Sequence, residues 1–270
     1  MVTFPNAKIN LGLRVVEKRP DGYHNLDTVF YPVPLYDALE CIRSDTDHFT
    51  ASGLDIPGDS TTNLCLKALE LLRENYPSIG PFKIHLHKHI PMGAGLGGGS
   101  SNGAFMLNML NDTFQLGLTT VQLIDYSLQL GSDCPYFIVN QPVHATGRGE
   151  HMTPLSCDLS RYTFLLIDPG VHISTAQAFA RIEPHHPARI CSDIVQQPVS
   201  TWKKELVNDF ESSVFPIYPQ LAEIKQQLYA LGAVYASMTG TGSAMYGIFE
   251  QEPDWHGRFS PLYTVHCLTP

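Results

Sequence analysis

The sequence predicts an α+β protein, and two features of its pattern support that fold class. Segments with the alternation of a β-strand and segments with the spacing of an amphipathic helix both occur along the 270-residue chain. They do not follow one another in the regular order of a doubly wound parallel sheet. A boundary falls near residue 150, so we expect one domain over residues 1–150 and a second over residues 151–270.

Two strands and three helices are predicted before residue 150. AKINLGLRVV and FKIHLHKHI alternate as half-buried strands do, the second with its three histidines facing water. TTNLCLKALELLRENY has the spacing of a helix, with Thr62 as a candidate N-cap. SSNGAFMLNMLNDTF and TTVQLIDYSLQLG are also predicted helices, and the second would end at Gly131.

The predicted C-terminal elements are three strands and one helix. YTFLLID is a continuous apolar strand. PQLAEIKQQLYALG places Leu221, Ile224 and Leu228 on one helical face and closes at Gly232. The strands AVYASM and AMYGIFE follow, joined by the short segment TGTGS.

Composition and charge restrict the partners that we expect. The formal net charge of −9 argues against a nucleic-acid surface, which depends on clustered Lys and Arg, but leaves room for a small phosphorylated ligand. No apolar run has the length of a membrane span, so no membrane partner is expected. We also expect no signal or transit peptide, because recognisable motif begins at Pro5.

The six cysteines are scattered and form no Cys-x-x-Cys pair. This spacing predicts reduced thiols in a cytoplasmic protein and not a disulfide framework or a zinc site. The cysteines are Cys41, Cys65, Cys134, Cys157, Cys191 and Cys267.

The segment PMGAGLGGGSSNGAFML carries the strongest functional signal. Glycines that lead into a helix let backbone N–H groups surround an anion, and the helix start adds its dipole. A dinucleotide site is a poor alternative, because the preceding strand has one wet face and no second mononucleotide half follows. A Walker loop is excluded because the sequence has no G-x-x-x-x-G-K-[ST]. We therefore predict a phosphate-binding loop.

Phosphoryl transfer also needs positive charge and a base for the acceptor hydroxyl. Lys8 lies on the first predicted strand, and Asp133 follows a predicted helix in GSDCPYFI. Each has a simpler explanation when taken alone, since Lys8 could be a surface lysine and Asp133 a helix N-cap before Pro135. Together with the glycine loop they suggest a kinase.

With these motifs the sequence resembles the GHMP kinases. That superfamily has an N-terminal segment, a loop of the P-x-x-x-G-L-x-S-S type and a C-terminal glycine loop, present here as MTGTGSAMYGIF. The resemblance implies a ribosomal protein S5 domain 2-like N-terminal domain and a ferredoxin-like C-terminal domain. It also implies that the C-terminal loop folds back toward the phosphate site.

The resemblance is closest to the GHMP kinases that act on a cytidine diphosphate-linked methylerythritol. PNAKINLGLRVVEKRPDGYHNLDTVF, GLGGGSSN, GSDCPYF, PGVHISTAQAF and NDFE follow in the expected order. This similarity implies that ATP phosphorylates the 2-hydroxyl of that acceptor, on the mevalonate-independent route to isoprenoid precursors. A GHMP kinase for another small alcohol, such as homoserine or mevalonate, and a non-catalytic ligand-binding module are the alternatives.

The resemblance also assigns roles residue by residue. It implies that Asp133 is the general base and that Lys8 holds Asp133 and the acceptor. The residues expected to bind ATP are Pro91, Met92, Gly93, Ala94, Gly95, Leu96, Gly97, Gly98, Gly99, Ser100 and Ser101. The residues expected to bind the acceptor are Asn10, Tyr23, His24, Phe179, Thr239, Gly240, Thr241 and Gly242, with Tyr23 and Phe179 as the two faces around the cytosine and His24 at the base edge.

Mg²⁺ is the second expected cofactor, with Ser101 as its candidate ligand. His85, His87 and His89 share a strand face as a metal site would, but a solvated polar face explains their spacing equally well. We expect a monomer or a weak homodimer. The sequence departs from the usual pattern at Gly103, where an alanine is common, so we expect a looser start to that helix.

Overall fold

The computed structural model describes residues 1–57 and 62–269. The chain divides into two compact units, each assembled from segments that are distant in sequence. The first unit contains Met1–Ala7, Leu35–Met92 and Gly97–Gln141, and the second contains Lys8–Pro34, Gly93–Leu96 and the chain from Pro142 onward. The simpler division into residues 1–150 and 151–270 stays a prediction.

Strands and helices alternate irregularly along the described chain. The strands are β1 (Val2–Thr3), β2 (Asn6–Lys18), β3 (His24–Tyr36), β4 (Ala38–Arg43), β5 (His48–Gly53), β6 (Phe82–Lys88), β7 (Val143–Gly147), β8 (His151–Pro154), β9 (Thr163–Asp168), β10 (Tyr235–Met238), β11 (Met245–Phe249) and β12 (Thr264–Leu268). The helices are α1 (Leu64–Asn75), α2 (Gly98–Phe114), α3 (Thr120–Leu130), α4 (Cys134–Val139), α5 (Thr175–Phe179), α6 (Cys191–Val195), α7 (Trp202–Glu205), α8 (Phe210–Val214) and α9 (Pro219–Ala230).

The first unit packs α1, α2 and α3 with a sheet of strand order β1-β4-β6-β5. β5 runs parallel to β6, and the other neighbours are antiparallel. Apolar side chains of this sheet and of the three helices form one buried cluster, in which Phe82, Leu86 and Leu107 are nearly inaccessible to water. Burying this area is what drives the unit to form.

The second unit contains two sheets. One has the order β2-β3-β7-β8, and the other is an antiparallel sheet of order β10-β11-β9-β12. α9 contributes Leu221, Ile224 and Leu228 to the core of this unit, so the predicted helical face is confirmed. The predicted strands YTFLLID, AVYASM and AMYGIFE are confirmed as β9, β10 and β11.

Local sequence signals account for both ends of α3. α3 begins after a capping box in which Thr119 accepts from the Gln122 backbone and the Gln122 side chain accepts from Thr119. It ends at Gly131, as predicted. α1 is capped by Asn63 and not by Thr62, because the Asn63 side chain accepts from the Cys65 N–H.

The first long strand differs from its predicted half-buried pattern. β2 is buried on both faces from Asn6 to Leu13, so its polar residues are inside as well as its apolar ones. The alternation of polar and apolar residues in this strand therefore does not correspond to an exposed and a buried face. No helix in the part of the chain that the structure describes is both long and apolar enough to cross a membrane.

Gly103 permits a close approach and does not loosen the start of α2. A Cβ at this position would lie 2.9 Å from the Leu64 Cβ and 3.4 Å from Leu130 Cδ1. Contacts this short to a Cβ force a shift of the neighbouring helix. The expected looseness is thus replaced by tight packing of α2 against α1.

Gly103→Ala should lower the denaturant midpoint although alanine favours helix. Overpacking costs about 1–3 kcal/mol, which exceeds the gain of roughly 1 kcal/mol in helix propensity. The matched control is Gly99→Ala in the same helix, where the nearest atom is 3.7 Å away and the midpoint should hold or rise. Urea unfolding of both variants measures the difference, and a midpoint for Gly103→Ala at or above that of the wild type would contradict the packing argument.

Candidate active site

The glycine loop has the backbone that a phosphate-binding loop requires. Gly93, Gly95 and Gly97 have φ values of +69°, +81° and +71°, which residues with a side chain rarely adopt. Gly97 is the N-cap residue of α2, and as a glycine it has no side chain that could cap the helix. The first N–H groups of α2 are therefore left for a ligand, where the helix dipole favours an anion.

In the second unit, Lys8 and Asn10 lie beside the loop. Lys8 is only 3% exposed, so it is no surface lysine. Its Nζ donates to Asn10 Oδ1 at 2.6 Å and to the Gly95 carbonyl at 3.0 Å, and it lies 5.1 Å from the centre of the Phe30 ring. A buried ammonium held by a carbonyl, an amide and a ring face supplies positive charge next to the loop.

The C-terminal glycine loop meets the same place. Thr239 Oγ1 accepts from the Asn10 N–H at 3.1 Å and lies 3.1 Å from the Gly95 carbonyl. Gly240 and Gly242, with φ of +56° and +89°, turn the chain here, and Thr241 is half-buried. The structure thus brings Lys8, Asn10, Gly95 and Thr239 together.

Asn208 holds this second loop in shape. Its Nδ2 donates to the carbonyls of Met238 and Gly240, both at 2.8 Å, and its Oδ1 accepts from the Phe210 N–H at 3.0 Å. The sequence showed the motif NDFE but gave Asn208 no role. Only the fold reveals that a buried amide supports the loop.

Asp133 lies in the first unit, directly before α4. It is half-buried, and its side chain makes no capping hydrogen bond to that helix. Asp133 therefore occupies the N-cap position of α4, but its side chain does not cap the helix. Its neighbour Cys134 is buried and hydrogen-bonds with Ser100, and burial raises the pKa of the Cys134 thiol to about 11. The thiol beside Asp133 is therefore protonated and unreactive at neutral pH.

Ser101 is the second serine of the loop. Its hydroxyl is fully buried and has no hydrogen-bond partner among the described residues. A buried hydroxyl without a partner is uncommon. Its oxygen is a type of ligand that Mg²⁺ accepts.

The predicted base-binding residues lie in the second unit. Tyr23 follows the turn of RPDGYH and is 55% exposed, with the Arg148 guanidinium 4.9 Å from its ring centre. The turn is fixed by Asp21, which accepts from the Tyr23 N–H at 3.1 Å. An exposed aromatic ring with a cation on one face leaves the other face for a stacked base.

His24 and Phe179 contact each other directly. Their rings are stacked with centres 4.6 Å apart and planes at 19°. A base therefore has no space between these two rings in the present arrangement. Burial, aided by the charge of Lys18, lowers the pKa of His24, so its imidazole is neutral at pH 7 and one nitrogen can accept a hydrogen bond.

Sequence reasoning missed an apolar cleft in the first unit. It measures about 400 Å³ and is lined by Phe49, Ile56 and Leu86 together with Met92 and Gly99 of the glycine loop. Its lining comes from β5, β6, the start of α1 and the loop, so no single motif could reveal it. A cleft of this size and character accepts a flat organic ring.

The histidine face of β6 is held by hydroxyls. His85 hydrogen-bonds with Thr50 at 2.8 Å and Ser52 at 2.9 Å, and Ser52 also contacts His87 at 2.9 Å. Among residues 1–57 and 62–269, no group of three or more His, Cys, Asp or Glu side chains is placed to hold a metal ion. All six cysteines are free, as predicted.

Family models place the chain in a known class of enzymes. Residues 63–141 match the N-terminal domain of GHMP kinases, and residues 192–254 match the C-terminal domain. The first match contains the glycine loop and Asp133, and the second contains the C-terminal loop. The protein is therefore a kinase of the GHMP superfamily, with the α+β fold that its sequence predicted.

Individual relatives define its branch. The chain is 53% identical to 4-diphosphocytidyl-2-C-methyl-D-erythritol kinase of Bacteroides thetaiotaomicron over 93% of both chains. It is 48% identical to that of Cytophaga hutchinsonii over 100% of both. A crystal structure of 4-(cytidine 5'-diphospho)-2C-methyl-D-erythritol kinase matches the whole of both chains with a TM-score of 0.83 and 29% identity. Within the GHMP kinases, the chain belongs to the 4-diphosphocytidyl-2-C-methyl-D-erythritol kinase family.

Gly95→Ala should impair nucleotide use far more than Gly93→Ala. A Cβ at Gly95 would lie 2.1 Å from the Thr239 carbonyl oxygen, whereas one at Gly93 meets its nearest atom, in His172, at 3.4 Å. Both variants bear the cost of a positive φ, about 1–2 kcal/mol. We expect KM for ATP to rise roughly 100-fold or more for Gly95→Ala and about tenfold or less for Gly93→Ala. Equal effects in steady-state kinetics would show that the backbone contact is unimportant.

Proposed function

We propose that the protein transfers the γ-phosphoryl group of ATP to the 2-hydroxyl of 4-diphosphocytidyl-2-C-methyl-D-erythritol, a step of the methylerythritol phosphate route to isoprenoid precursors. The observation that carries the proposal is the full-length similarity to kinases of that name, at 48% identity over the whole of both chains for one of them. The exposed Tyr23 in RPDGYH supports it, because an acceptor without a nucleobase would have no use for that ring.

Asp133 is the proposed general base. It accepts the hydroxyl proton as the acceptor oxygen bonds to the γ-phosphorus and the bond to the β-phosphate oxygen breaks, releasing ADP. The Lys8 ammonium is proposed to hold Asp133 and the acceptor in place.

The glycine loop is proposed to bind the triphosphate. Backbone N–H groups at Gly97 to Ser101 and the dipole of α2 face the charge that develops during transfer. The apolar cleft beside Met92 and Gly99 is proposed to hold the adenine ring. Asn10 and Thr239 to Gly242 are proposed to line the acceptor pocket.

Mg²⁺ is proposed as the metal that accompanies ATP. Ser101 fits it through a buried oxygen with no hydrogen-bond partner in the described chain, and phosphate oxygens would supply most other ligands. When bound, the ion neutralises charge on the phosphates. The remaining chemistry is assigned to the side chains and backbone named above.

The cytidine end is proposed to depend on Tyr23, His24 and Phe179. Tyr23 offers one ring face to the base, and the neutral His24 can hydrogen-bond to its edge. Because His24 stacks on Phe179 in the structure, we propose that the base enters by replacing or extending this stack.

We further propose a cytoplasmic protein, either a monomer or a weak homodimer, that does not act on nucleic acid. Six free cysteines suit a reducing compartment. A net charge of −9 disfavours binding to a phosphate backbone.

A coupled assay for ADP tests the reaction. With ATP and Mg²⁺, we expect ADP release with 4-diphosphocytidyl-2-C-methyl-D-erythritol and none with mevalonate, homoserine or galactose. Asp133→Asn should lower kcat by about 10²- to 10⁴-fold. Asp125→Asn is the matched control, because it makes the same change at an exposed carboxylate on α3, and it should keep wild-type turnover. Release with a different alcohol would identify another GHMP kinase, and no release with any would favour a binding module.

Ser101→Ala should raise the Mg²⁺ concentration that gives half-maximal velocity. We expect a shift of about three- to tenfold, the effect of one lost polar contact. Ser100→Ala is the comparison, because that hydroxyl hydrogen-bonds with Cys134 and should not set the Mg²⁺ requirement. An unchanged requirement in Ser101→Ala, measured by Mg²⁺ titration at saturating ATP, would remove Ser101 as a ligand.

A further inference from the structure

A buried ion pair lies at the base of the glycine loop, in the first unit. Lys88, the last residue of β6, donates from Nζ to the carboxylate of Asp37, and both side chains are 0% exposed. The sequence analysis gave neither residue a role. Charged side chains are almost never fully buried unless they are paired.

Asp37 holds the strand side of the loop. Its Oδ1 accepts from the backbone N–H groups of His89 and Ile90, at 2.7 Å and 2.9 Å, and these residues come directly before Pro91. Its Oδ2 accepts from Lys88 and from Asn102 Nδ2, the latter at 2.8 Å. One carboxylate therefore receives four donors.

Asn102 holds the helix side of the loop. It lies in the first turns of α2, and its Oδ1 accepts from Lys88 Nζ at 3.3 Å while its Nδ2 donates to Asp37. It also lines the apolar cleft. Both ends of the loop are thus tied to the same ion pair.

Gly98 shows how closely the two sides approach. A Cβ on this first residue of α2 would lie 2.8 Å from Lys88 Nζ and 2.9 Å from Ile90 Cγ2. The start of α2 therefore packs directly against Lys88 and Ile90. A small change in the network would move the N–H groups that open α2.

Stability alone is a weak reason for such a pair. Removing two charges from water is costly, and well-packed apolar residues of similar size often stabilise as well or better. Burial lowers the pKa of Lys88, and the Asp37 carboxylate opposes that shift. A fully hydrogen-bonded polar network does, however, fix geometry more sharply than an apolar core.

We propose that Asp37, Lys88 and Asn102 are positioning residues for the nucleotide. They fix the separation between the two ends of the glycine loop, so that its backbone N–H groups converge on the triphosphate. They act through the loop and touch neither the acceptor nor the reacting atoms. The proposal rests on the assignment of this loop to ATP.

Binding of a non-hydrolysable ATP analogue to Lys88→Met, Asp37→Asn and the double variant tests this role. In the single variants the Kd for AMP-PNP with Mg²⁺, measured by calorimetry, should rise about tenfold or more, because small misplacements at such sites have large effects. KM for the acceptor should stay within about twofold, since the loop and not the acceptor pocket is displaced. Arg73→Met, which breaks an exposed ion pair with Asp47 in the same unit, is the control and should leave the Kd unchanged.

The double variant separates positioning from stability. It leaves no buried charge unpaired, so its denaturation midpoint should recover relative to Lys88→Met, which also keeps the test usable if a single variant does not fold. The Kd for AMP-PNP should remain raised. The network would be merely structural if the double variant recovered the wild-type Kd together with the denaturation midpoint. The same conclusion would follow if the Kd did not change in any variant that folds. Because AMP-PNP binding requires no acceptor, failure of the proposed reaction would appear separately, as normal nucleotide binding without turnover.

Discussion

In the second unit, the candidate site depends on the close approach of the Gly95 backbone to the Thr239 backbone. A Cβ there would lie 2.1 Å from the Thr239 carbonyl oxygen, so only glycine permits the contact. The Gly95 carbonyl also accepts from Lys8 Nζ. Thr239 in turn bonds to Asn10, and Asn208 holds the carbonyls on either side of Thr239. A side chain at position 95 would therefore disturb the lysine, the amide and the C-terminal loop together.

Positive charge near the glycine loop comes from lysines that lie outside the loop. The loop itself carries no lysine, but the structure places the buried residues Lys8 and Lys88 next to it, in different surroundings. Lys88 is matched by a carboxylate and has little net field to offer. Lys8 contacts a backbone carbonyl, an amide oxygen and a ring face. The pairing with Asp37 therefore suits Lys88 to fixing geometry.

Sequence patterns predicted elements whose cause is local. The end of α3 at Gly131 and the apolar face of α9 were readable because each depends on residues within a few positions of one another. Lys88 was overlooked although it stands at an inward position of the alternation in β6, between Leu86 and Ile90. A lysine at such a position signals a buried partner, but its partner Asp37 is remote in sequence. The burial of both faces of β2 could not be predicted for the same reason, since it depends on distant segments.

The site residues divide along the same line. Motifs predicted roles for the glycine loop, Lys8 and Asp133, because phosphate binding and proton transfer restrict residue type at fixed spacing. They could not identify Asn208, whose two hydrogen bonds to backbone carbonyls exist only once β10 and β11 have formed a hairpin. Nor could they show that His24 rests on Phe179, since these rings come from segments far apart in the chain. Residues that touch a ligand are constrained by chemistry and leave a motif. Residues that hold those in place are constrained only by geometry, and many sequences satisfy it.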